Sequence, residues 1–252
     1  MTGIFRVAIQ SRAIEYNPAE YIVIPQYAPS EERRAITDTE REWIENTPHR
    51  AQTAAMIMLY AGLRRGEVAA LTWNDIDFSA GTIRVNKSVT YKGDNPRSLK
   101  APKTEAGERV VPMPRKLIDY LSTVSRTSLL VVTSARGSQM TESAWKRLWE
   151  SYMKVLNETY ANPEGASRFS PKKGGLPMMI QTFTPHCLRH TYCTMLYEAG
   201  VDVLVAKELM GHSDVKTTLG IYTHLSRKHA RTNAALLDVY LDGTADDDTS
   251  DG

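Results

Sequence analysis

The sequence predicts an α+β fold that is mostly helical, with a small antiparallel β-sheet or hairpin on one side. Apolar residues recur at helical spacing in several segments, while strand and turn signals concentrate in one stretch, 82–112. A chain of 252 residues that is 42% apolar can bury a substantial core. No run approaches the roughly 20 apolar residues of a membrane span, and the N-terminus lacks a signal-peptide pattern. We therefore expect a cytosolic protein.

The first 30 residues are predicted to stand apart from the rest. Residues 4–16 carry apolar side chains at helical spacing, and Asn17-Pro18 should end that helix. Residues 22–30 contain two prolines and are predicted to be an extended linker. Because no partner element for the helix lies nearby in the sequence, we expect it to be the end of a domain that is otherwise absent.

Three helices are predicted next. The run Thr37–Glu40 has capping-box spacing and should open a helix that continues to Asn46. A second helix over 49–61 is rich in Ala, Met and Leu and should be buried, and Gly62 should end it. A short helix over 65–71 follows.

The β-rich stretch comes after these helices. Thr82–Val85 is predicted to be a strand, and 97–102 with 108–112 to be a hairpin around the turn Thr104–Gly107. A long amphipathic helix over 141–158 should follow. Its buried face should consist of Trp145, Leu148, Trp149, Tyr152 and Leu156.

The last third of the chain is predicted to begin with a mobile basic loop over 160–178. Three helices should follow it, over 185–199, 202–210 and 214–225. Residues 31–228 would thus form the main domain. Residues 229–242 are predicted to be a C-terminal helix, and 243–252 an acidic disordered tail.

The net charge of +2 conceals an uneven distribution. Six aspartates lie within residues 238–252, and without that segment 31 basic residues stand against 23 acidic ones. Residues 84–116 alone carry nine Lys or Arg and three acidic residues. A basic body indicates a polyanionic partner, with a solvated surface sheet as the equally weighted alternative.

The two cysteines, Cys187 and Cys193, are expected to be free thiols. On one helix they would lie roughly 9 Å apart along the axis, beyond the reach of a disulfide. His186 and His190 have a zinc-like spacing, but Cys187 stands where the metalloprotease motif has its glutamate. A structural metal site at His190 and Cys193 is a less favoured alternative.

Thr184-Pro185 is a strong helix start, with a threonine cap and proline at the first helical position. His186 and Arg189 then lie on one face of the first turn, where free N–H groups already favour an anion. They could form a phosphate site. The alternative is a capping histidine and a solvent-facing arginine, which the local pattern alone favours.

Six motifs follow one another along the chain: Gly62–Glu67, Ala69–Asp77, Lys103–Met113, Thr184–Thr191, Leu209–Ser213 and Thr217–His224. Over residues 31–225 the sequence resembles the catalytic domain of tyrosine recombinases, the phage and conjugative-transposon integrase family. Six positions match its active site: Arg64, Lys103, His186, Arg189, His212 and Tyr222. Arg65 competes with Arg64, but the match favours Arg64.

The resemblance implies a metal-free and cofactor-free transfer of a DNA phosphodiester. Arg64 and Arg189 would hold the non-bridging oxygens, since planar donors suit a tetrahedral phosphate. Tyr222 would attack in line and form a 3′-phosphotyrosine. The bond energy is conserved in that intermediate, so strands can rejoin without ATP.

The remaining three residues would move protons and stabilise charge. His186 is the candidate base for the tyrosine, and His212 would donate a hydrogen bond to the phosphate. Lys103 would protonate the leaving 5′ oxygen, because an alkoxide leaves poorly.

The resemblance also implies partners and a location. Double-stranded DNA would be the substrate, and a homotetramer would bind two DNA sites. Accessory excision or DNA-bending proteins are candidate partners. The protein would not bind a membrane and would act in the bacterial cytoplasm. Residues 1–30 would then be the terminal helix and linker of a core-binding domain, and the C-terminal helix could be exchanged between protomers. A type IB topoisomerase and a DNA-binding regulator without catalysis are the alternatives; neither the DNA target nor the kind of mobile element follows from the sequence.

Overall fold

The structure is a computed structural model that describes residues 2–18, 34–93, 95–100, 108–161 and 178–228. By its internal contacts the chain divides into two units, residues 1–33 and 34–252. In the first unit α1 spans Thr2–Gln10 and is shorter than the predicted 4–16. The reason is Arg12, whose left-handed backbone (φ 56°) ends the helix without a glycine to signal it.

The second unit opens with α2 (Asp38–Asn46) and α3 (Gln52–Tyr60). The predicted capping box is confirmed: the Thr37 side chain accepts from the Glu40 amide, and the Glu40 carboxylate accepts from the Thr37 amide. Helix α3 is buried along its whole length, as its composition predicted. It ends before Gly62, which has a positive φ of 63°.

A three-stranded antiparallel sheet follows α4 (Arg65–Ala70) and a 3₁₀ turn. Its strands are β1 (Ile76–Asp77), β2 (Thr82–Val85) and β5 (Arg109–Pro112), in the order β1-β2-β5. A separate two-stranded ladder joins β3 (Ser88–Lys92) to β4 (Asn95–Lys100).

The predicted hairpin between 97–102 and 108–112 is wrong. Strand β4 pairs with β3, across a tight turn at Gly93 (φ 62°), and β5 pairs with β2. A short connection closes a hairpin at less entropic cost than a long one. The β2–β5 pairing also places Ile83 opposite Val111, and both are fully buried.

Helix α5 (Arg115–Thr123) was not predicted, because its buried stripe is only Leu117 and Leu121. The long helix is confirmed as α6 (Glu142–Tyr160), and all five residues of its predicted face are buried. The described chain resumes at Met178, and residues 178–184 lead into the closing helices.

The three closing helices are confirmed as α7 (Pro185–Glu198), α8 (Val203–Met210) and α9 (Val215–Lys228). Helix α7 packs on α3 and on α9, and it thereby connects an early helix of this unit with its last described helix. Leu188 and Tyr192 of α7 are buried, whereas Leu196 is only half-buried and Ala199 is exposed. The helix leaves the core after its third turn.

Within the described residues, no helix has both the length and the apolar character that crossing a membrane requires. The predictions of a linker over 22–30 and of a C-terminal helix and tail over 229–252 lie outside the described residues, as does most of the predicted loop 160–178.

Candidate active site

Three arginines from three different elements meet at the C-terminal end of α8. The Arg109 Nε donates to the Leu209 carbonyl (2.8 Å), Arg189 Nη2 donates to the Met210 carbonyl, and Arg64 Nη2 donates to the Gly211 carbonyl (2.6 Å). Each of three consecutive carbonyls therefore has its own guanidinium.

Helix chemistry explains why these carbonyls are available. The last carbonyls of an α-helix have no partner within the helix, and they carry the negative end of its dipole. Gly211 has a left-handed backbone (φ 62°), so the chain turns sharply after Met210 and leaves its carbonyls accessible to side chains from elsewhere.

Arg189 is the most deeply placed of the three. Its side chain is in the interior, with the residue only 2% exposed, and its Nη1 donates to the Gly62 carbonyl. Burial, followed by repulsion from Arg64, lowers the pKa of Arg189 to about 9, so the group remains charged at neutral pH. The alternative of a solvent-facing arginine on α7 is wrong.

One buried carboxylate links the other two arginines. Glu67 Oε1 accepts from Arg64 Nη1 (2.8 Å) and Arg109 Nη1 (3.1 Å), and Oε2 accepts from Arg109 Nη2 (2.9 Å) and the Arg64 amide (2.8 Å). Burial opposes ionisation of Glu67, but the bonds from Arg109 and the two arginine charges outweigh it and hold its pKa below the ordinary value. Two guanidinium groups thus share one carboxylate while Arg189 binds backbone carbonyls, so the three-arginine cluster retains a positive charge that suits an anion.

Arg64 is the arginine of this cluster that remains open to solvent. Its side chain is 42% exposed, against 6% for Arg109. It stands at the N-cap of α4, so part of its guanidinium is oriented by Glu67 while the rest can meet a ligand. Among the three, Arg64 is therefore the arginine nearest to solvent and Arg189 is the most deeply buried.

His212 follows directly after this cluster. Its Nδ1 lies 2.8 Å from the hydroxyl of Thr218, a fully buried residue of α9. Burial, and then the charges of Arg189, Arg64, Arg109 and His186, lower the pKa of His212 to about 4. His212 is consequently neutral at physiological pH, and His186, which is exposed on the first turn of α7, is close enough to influence it.

Tyr222 lies in the neighbouring apolar cluster with Tyr192 and Met210. It is 9% exposed, its hydroxyl donates to the Val201 carbonyl (3.1 Å), and its ring meets Tyr197 edge-on. Burial is the main cause that raises the pKa of Tyr222 to about 12. Its hydroxyl is thus bonded to the α7–α8 connection, although its cluster shares Met210 with the arginine site.

The structure therefore brings together four of the six residues that the sequence predicted. Arg64, Arg189 and His212 share the end of α8, His186 lies beside them, and Tyr222 is packed one layer away. Lys103 lies outside the described residues.

Sequence reasoning missed the roles of Arg109, Glu67 and Thr218. Glu67 and Arg109 do stand inside the motif runs, but nothing in their spacing shows that they bind each other across 42 residues. Thr218 resembles any helix threonine until its hydroxyl is seen beside His212.

The cysteines are free thiols, as predicted, and both are buried. Within the described ranges, no three His, Cys, Asp or Glu side chains are grouped so that they could hold a metal ion. Burial raises the pKa of Cys193 to about 11, which disfavours the thiolate that a metal would need.

A mostly helical domain with one small antiparallel sheet is the fold of tyrosine recombinase catalytic domains. The chain belongs to the phage integrase family, whose family model matches residues 27–229.

Individual relatives are recombinases and transposon proteins. The chain is 31% identical over 274 residues to a tyrosine recombinase XerC-like protein of Caldanaerobacter subterraneus subsp. tengcongensis, with 94% of this chain and 63% of that protein covered. It is 24% identical over 240 residues to the transposase from transposon Tn916 of Enterococcus faecalis, with 87% and 55% covered. The chain thus spans 63% and 55% of the length of these two relatives.

A solved structure has the same fold. The Tn1549 transposon integrase in complex with transposon right end DNA matches with a TM-score of 0.67 and 25% identity, over 94% of this chain and 76% of that chain.

Proposed function

We propose that the chain is the catalytic domain of a site-specific DNA recombinase of integrase type, which cleaves and rejoins DNA through a 3′-phosphotyrosine intermediate. The observation that carries the proposal is the cluster of Arg64, Arg109 and Arg189 around one carboxylate. A phosphodiester anion would balance the remaining charge, and the guanidinium fork suits its geometry.

In this proposal Arg64 and Arg189 bind the non-bridging oxygens and stabilise the charge that develops in the transition state. His212 contributes as a neutral donor. If its Nδ1 accepts the Thr218 hydroxyl proton, Nε2 carries the ring proton and can donate it in a hydrogen bond to a phosphate oxygen. The low pKa of His212 supports this assignment, because it keeps the ring neutral until an anion arrives.

Tyr222 is proposed as the nucleophile. Its oxygen attacks the phosphorus, the P–O5′ bond breaks, and the phenol proton passes to His186 while Lys103 protonates the leaving 5′ oxygen. A 5′-hydroxyl of another strand reverses the step, so no ATP is consumed. The hydroxyl must first release the Val201 carbonyl, and its pKa of about 12 must fall beside the arginines.

Double-stranded DNA is the proposed partner. A cleft of about 610 Å³ beside the start of α6 supports this, because its charged side chains include Arg50, Arg136 and Arg147, with serine and threonine hydroxyls between them. All three arginines are exposed. Such a surface suits the phosphate backbone of a duplex. The Tn1549 relative was solved with transposon DNA, which is the same class of partner.

We further propose that the activity integrates or excises a mobile element in the bacterial cytoplasm, with four protomers on two DNA sites and accessory DNA-bending proteins as partners. The transposon relative supports a mobile element. The tetramer and the exchange of the C-terminal helix rest on family resemblance, and chemical crosslinking on recombination-site DNA would test them.

Covalent trapping tests the central proposal. Duplexes with a random core, each nicked close to the core, are incubated with the protein, and adducts that survive SDS are recovered and sequenced. We expect a covalent adduct that selects a defined sequence and disappears in Tyr222→Phe. The matched control is Tyr197→Phe, which keeps the edge-on ring beside Tyr222 and removes the hydroxyl that donates to Ser226.

Each outcome has a distinct meaning. An adduct that persists in Tyr222→Phe would remove Tyr222 as nucleophile. Sequence-specific binding without any adduct would favour a non-catalytic DNA-binding protein. Adducts that relax supercoiled DNA but never exchange strands between two sites would indicate a topoisomerase.

A further inference from the structure

Arg109 connects three elements of the site from an interior position. It stands at the start of β5, its side chain is 6% exposed, and all three guanidinium nitrogens are used. Nε reaches the end of α8 at Leu209, and Nη1 and Nη2 reach Glu67 on α4. Because all three nitrogens donate to Glu67 or Leu209, Arg109 is placed to hold these groups and not a substrate.

We propose that Arg109 is a positioning residue, which sets the geometry of Arg64 and His212 by binding Glu67 and the end of α8 at the same time. The proposal rests on the proposed function, in which Arg64 and His212 act on the phosphate. It adds Arg109 to the residues on which the reaction depends.

The first argument is the order of the carbonyls. The carbonyls of Leu209, Met210 and Gly211 accept from Arg109, Arg189 and Arg64 respectively. His212 is the next residue. Removing the bond at Leu209 frees the last turn of α8, so the two following carbonyls and His212 can shift together. A small displacement matters because phosphoryl transfer depends on positioning.

The second argument is the sharing of Glu67. Its carboxylate is buried and accepts from Arg109 at both oxygens, while Arg64 binds Oε1 and the backbone amide binds Oε2. Without Arg109, the cation that still binds this buried charge is Arg64, whose side chain is partly exposed and donates to Oε1 through one nitrogen. Arg64 would then bind Glu67 with both nitrogens, in competition with a phosphate.

A second ion pair in the same unit provides a matched control. Arg34 binds Glu40 through both Nη atoms at 2.6 Å, and Glu40 is also buried. Arg34 contacts the Gln181 carbonyl (3.3 Å) and not the end of α8. Arg34→Met therefore removes a two-bond arginine–carboxylate pair outside the arginine cluster, although the Arg34 side chain is more exposed than that of Arg109 (23% against 6%).

The experiment compares Arg109→Met, Arg109→Lys and Arg34→Met in the full chain. The first readout needs no DNA: the side-chain N–H resonance of Arg64 is followed by NMR in arginine-labelled protein. We expect it to shift in Arg109→Met and to remain in place in Arg34→Met. If both variants leave Arg64 unchanged, the positioning proposal is overturned whether or not the protein is a recombinase.

The second readout is single-turnover cleavage of the nicked duplex that trapping identifies, alongside duplex affinity and thermal stability. We expect Arg109→Met to slow cleavage on the order of 10²-fold with little change in duplex affinity. Arg34→Met should lose about as much thermal stability as Arg109→Met but cleave at the unmodified rate. Arg109→Lys keeps the charge but not the fork, so its rate should lie between the two. If Arg109→Met does not fold, Arg109→Lys carries the comparison.

A double variant shows whether Arg109 acts through Arg64. Because the cluster works as a unit, Arg109→Met should lower the cleavage rate by a much smaller factor in the Arg64→Ala protein than in the unmodified protein. A full, multiplicative loss in the double variant would overturn action through Arg64. Absence of cleavage by the unmodified protein would count against the proposed function, and the NMR readout would then still decide the role of Arg109.

Discussion

At the residue scale, His212 shows how burial and neighbouring positive charges set the protonation state of one side chain in the candidate site. Burial and four cationic or ionisable neighbours keep it neutral, and Thr218 fixes its ring. The same arrangement lowers the free energy of unfolding at low pH, because His212 is protonated in the unfolded chain at pH values where it stays neutral in the folded protein.

The first prediction concerns this pH dependence. The pKa of His212 is lowered from 6.5 to about 4 by folding, so its contribution to stability is present above about pH 6.5 and is lost as the pH falls towards 4. His212→Gln should reduce the loss of unfolding free energy between pH 7.5 and pH 5 by about 1 kcal/mol, discounted for partial exposure. Urea unfolding at both pH values measures it. An equal loss in both proteins would contradict the prediction.

The second prediction separates Arg64 from Arg189. Either substitution to Ala should slow cleavage by about 10²–10³-fold, as expected when a donor to developing charge is removed. Arg189→Ala should also lower the free energy of unfolding by about 2–4 kcal/mol, because it leaves the buried carbonyls of Gly62 and Met210 unpaired. Arg64→Ala should lower the free energy of unfolding by less than about 1 kcal/mol, because the Arg64 side chain is partly exposed.

The comparison has a clear opposing result. Equal losses of stability in the two variants would show that the different burial of the two side chains does not affect their contributions to stability. A normal cleavage rate in either variant would remove that arginine from the proposed phosphate site.

At the element scale, the contact of α3 with α7 determines where Arg189 can reach. Gly62, just after α3, has a positive φ, and the Tyr192 ring of α7 lies where a side chain would begin. A Cβ on Gly62 would stand 2.2 Å from Tyr192 Cδ1, so only glycine allows this approach. The Gly62 carbonyl then accepts from Arg189, and the turn therefore serves both packing and the site.

The third prediction tests this contact. Gly62→Ala should lower the free energy of unfolding by about 2–4 kcal/mol, through backbone strain and the clash with Tyr192 together. Gly200→Ala is the control: Gly200 has a similar φ of 72° but open space around it, so about 1–2 kcal/mol of strain is expected. Chemical denaturation of the two variants gives the difference. If they lose the same amount, Tyr192 does not restrict Gly62.

At the scale of the whole molecule, the basic cleft beside α6 is proposed to bind the duplex while the arginine cluster binds the scissile phosphate. Charge on the surface chiefly affects affinity and its dependence on salt, whereas charge in the buried site chiefly affects rate. The two surfaces should therefore respond differently to substitution.

The fourth prediction follows from that division. Arg136→Gln with Arg147→Gln should weaken duplex binding and reduce the slope of log affinity against log salt by about one to two, because each lost phosphate contact removes about 0.9. Lys154→Gln is the control, since Lys154 lies on the same helix α6 and faces Glu158. Fluorescence anisotropy over a range of salt concentrations measures the slopes. Identical slopes in all proteins would exclude the cleft from the DNA interface.

The sequence by itself determined most of the helices, and it predicted most of the residues that meet in the candidate site. Thr37 with Glu40, Thr184-Pro185 and Gly211 are local signals, because capping and the ending of a helix depend on residues within one turn. The motif runs also singled out Arg64, Arg189, His212 and Tyr222 before any contact was known. The role of Lys103 stays a prediction.

Only the tertiary structure decided how these parts meet. Strand β5 pairs with β2 and not with β4, the Tyr222 hydroxyl rests on Val201, and Arg109 joins the site. The bonds to the end of α8 cross 147 residues from Arg64 and 100 residues from Arg109. Local periodicity extends over a few residues, so it cannot specify such pairs; they form because packing leaves three unpaired carbonyls and one buried carboxylate within reach of three guanidinium groups.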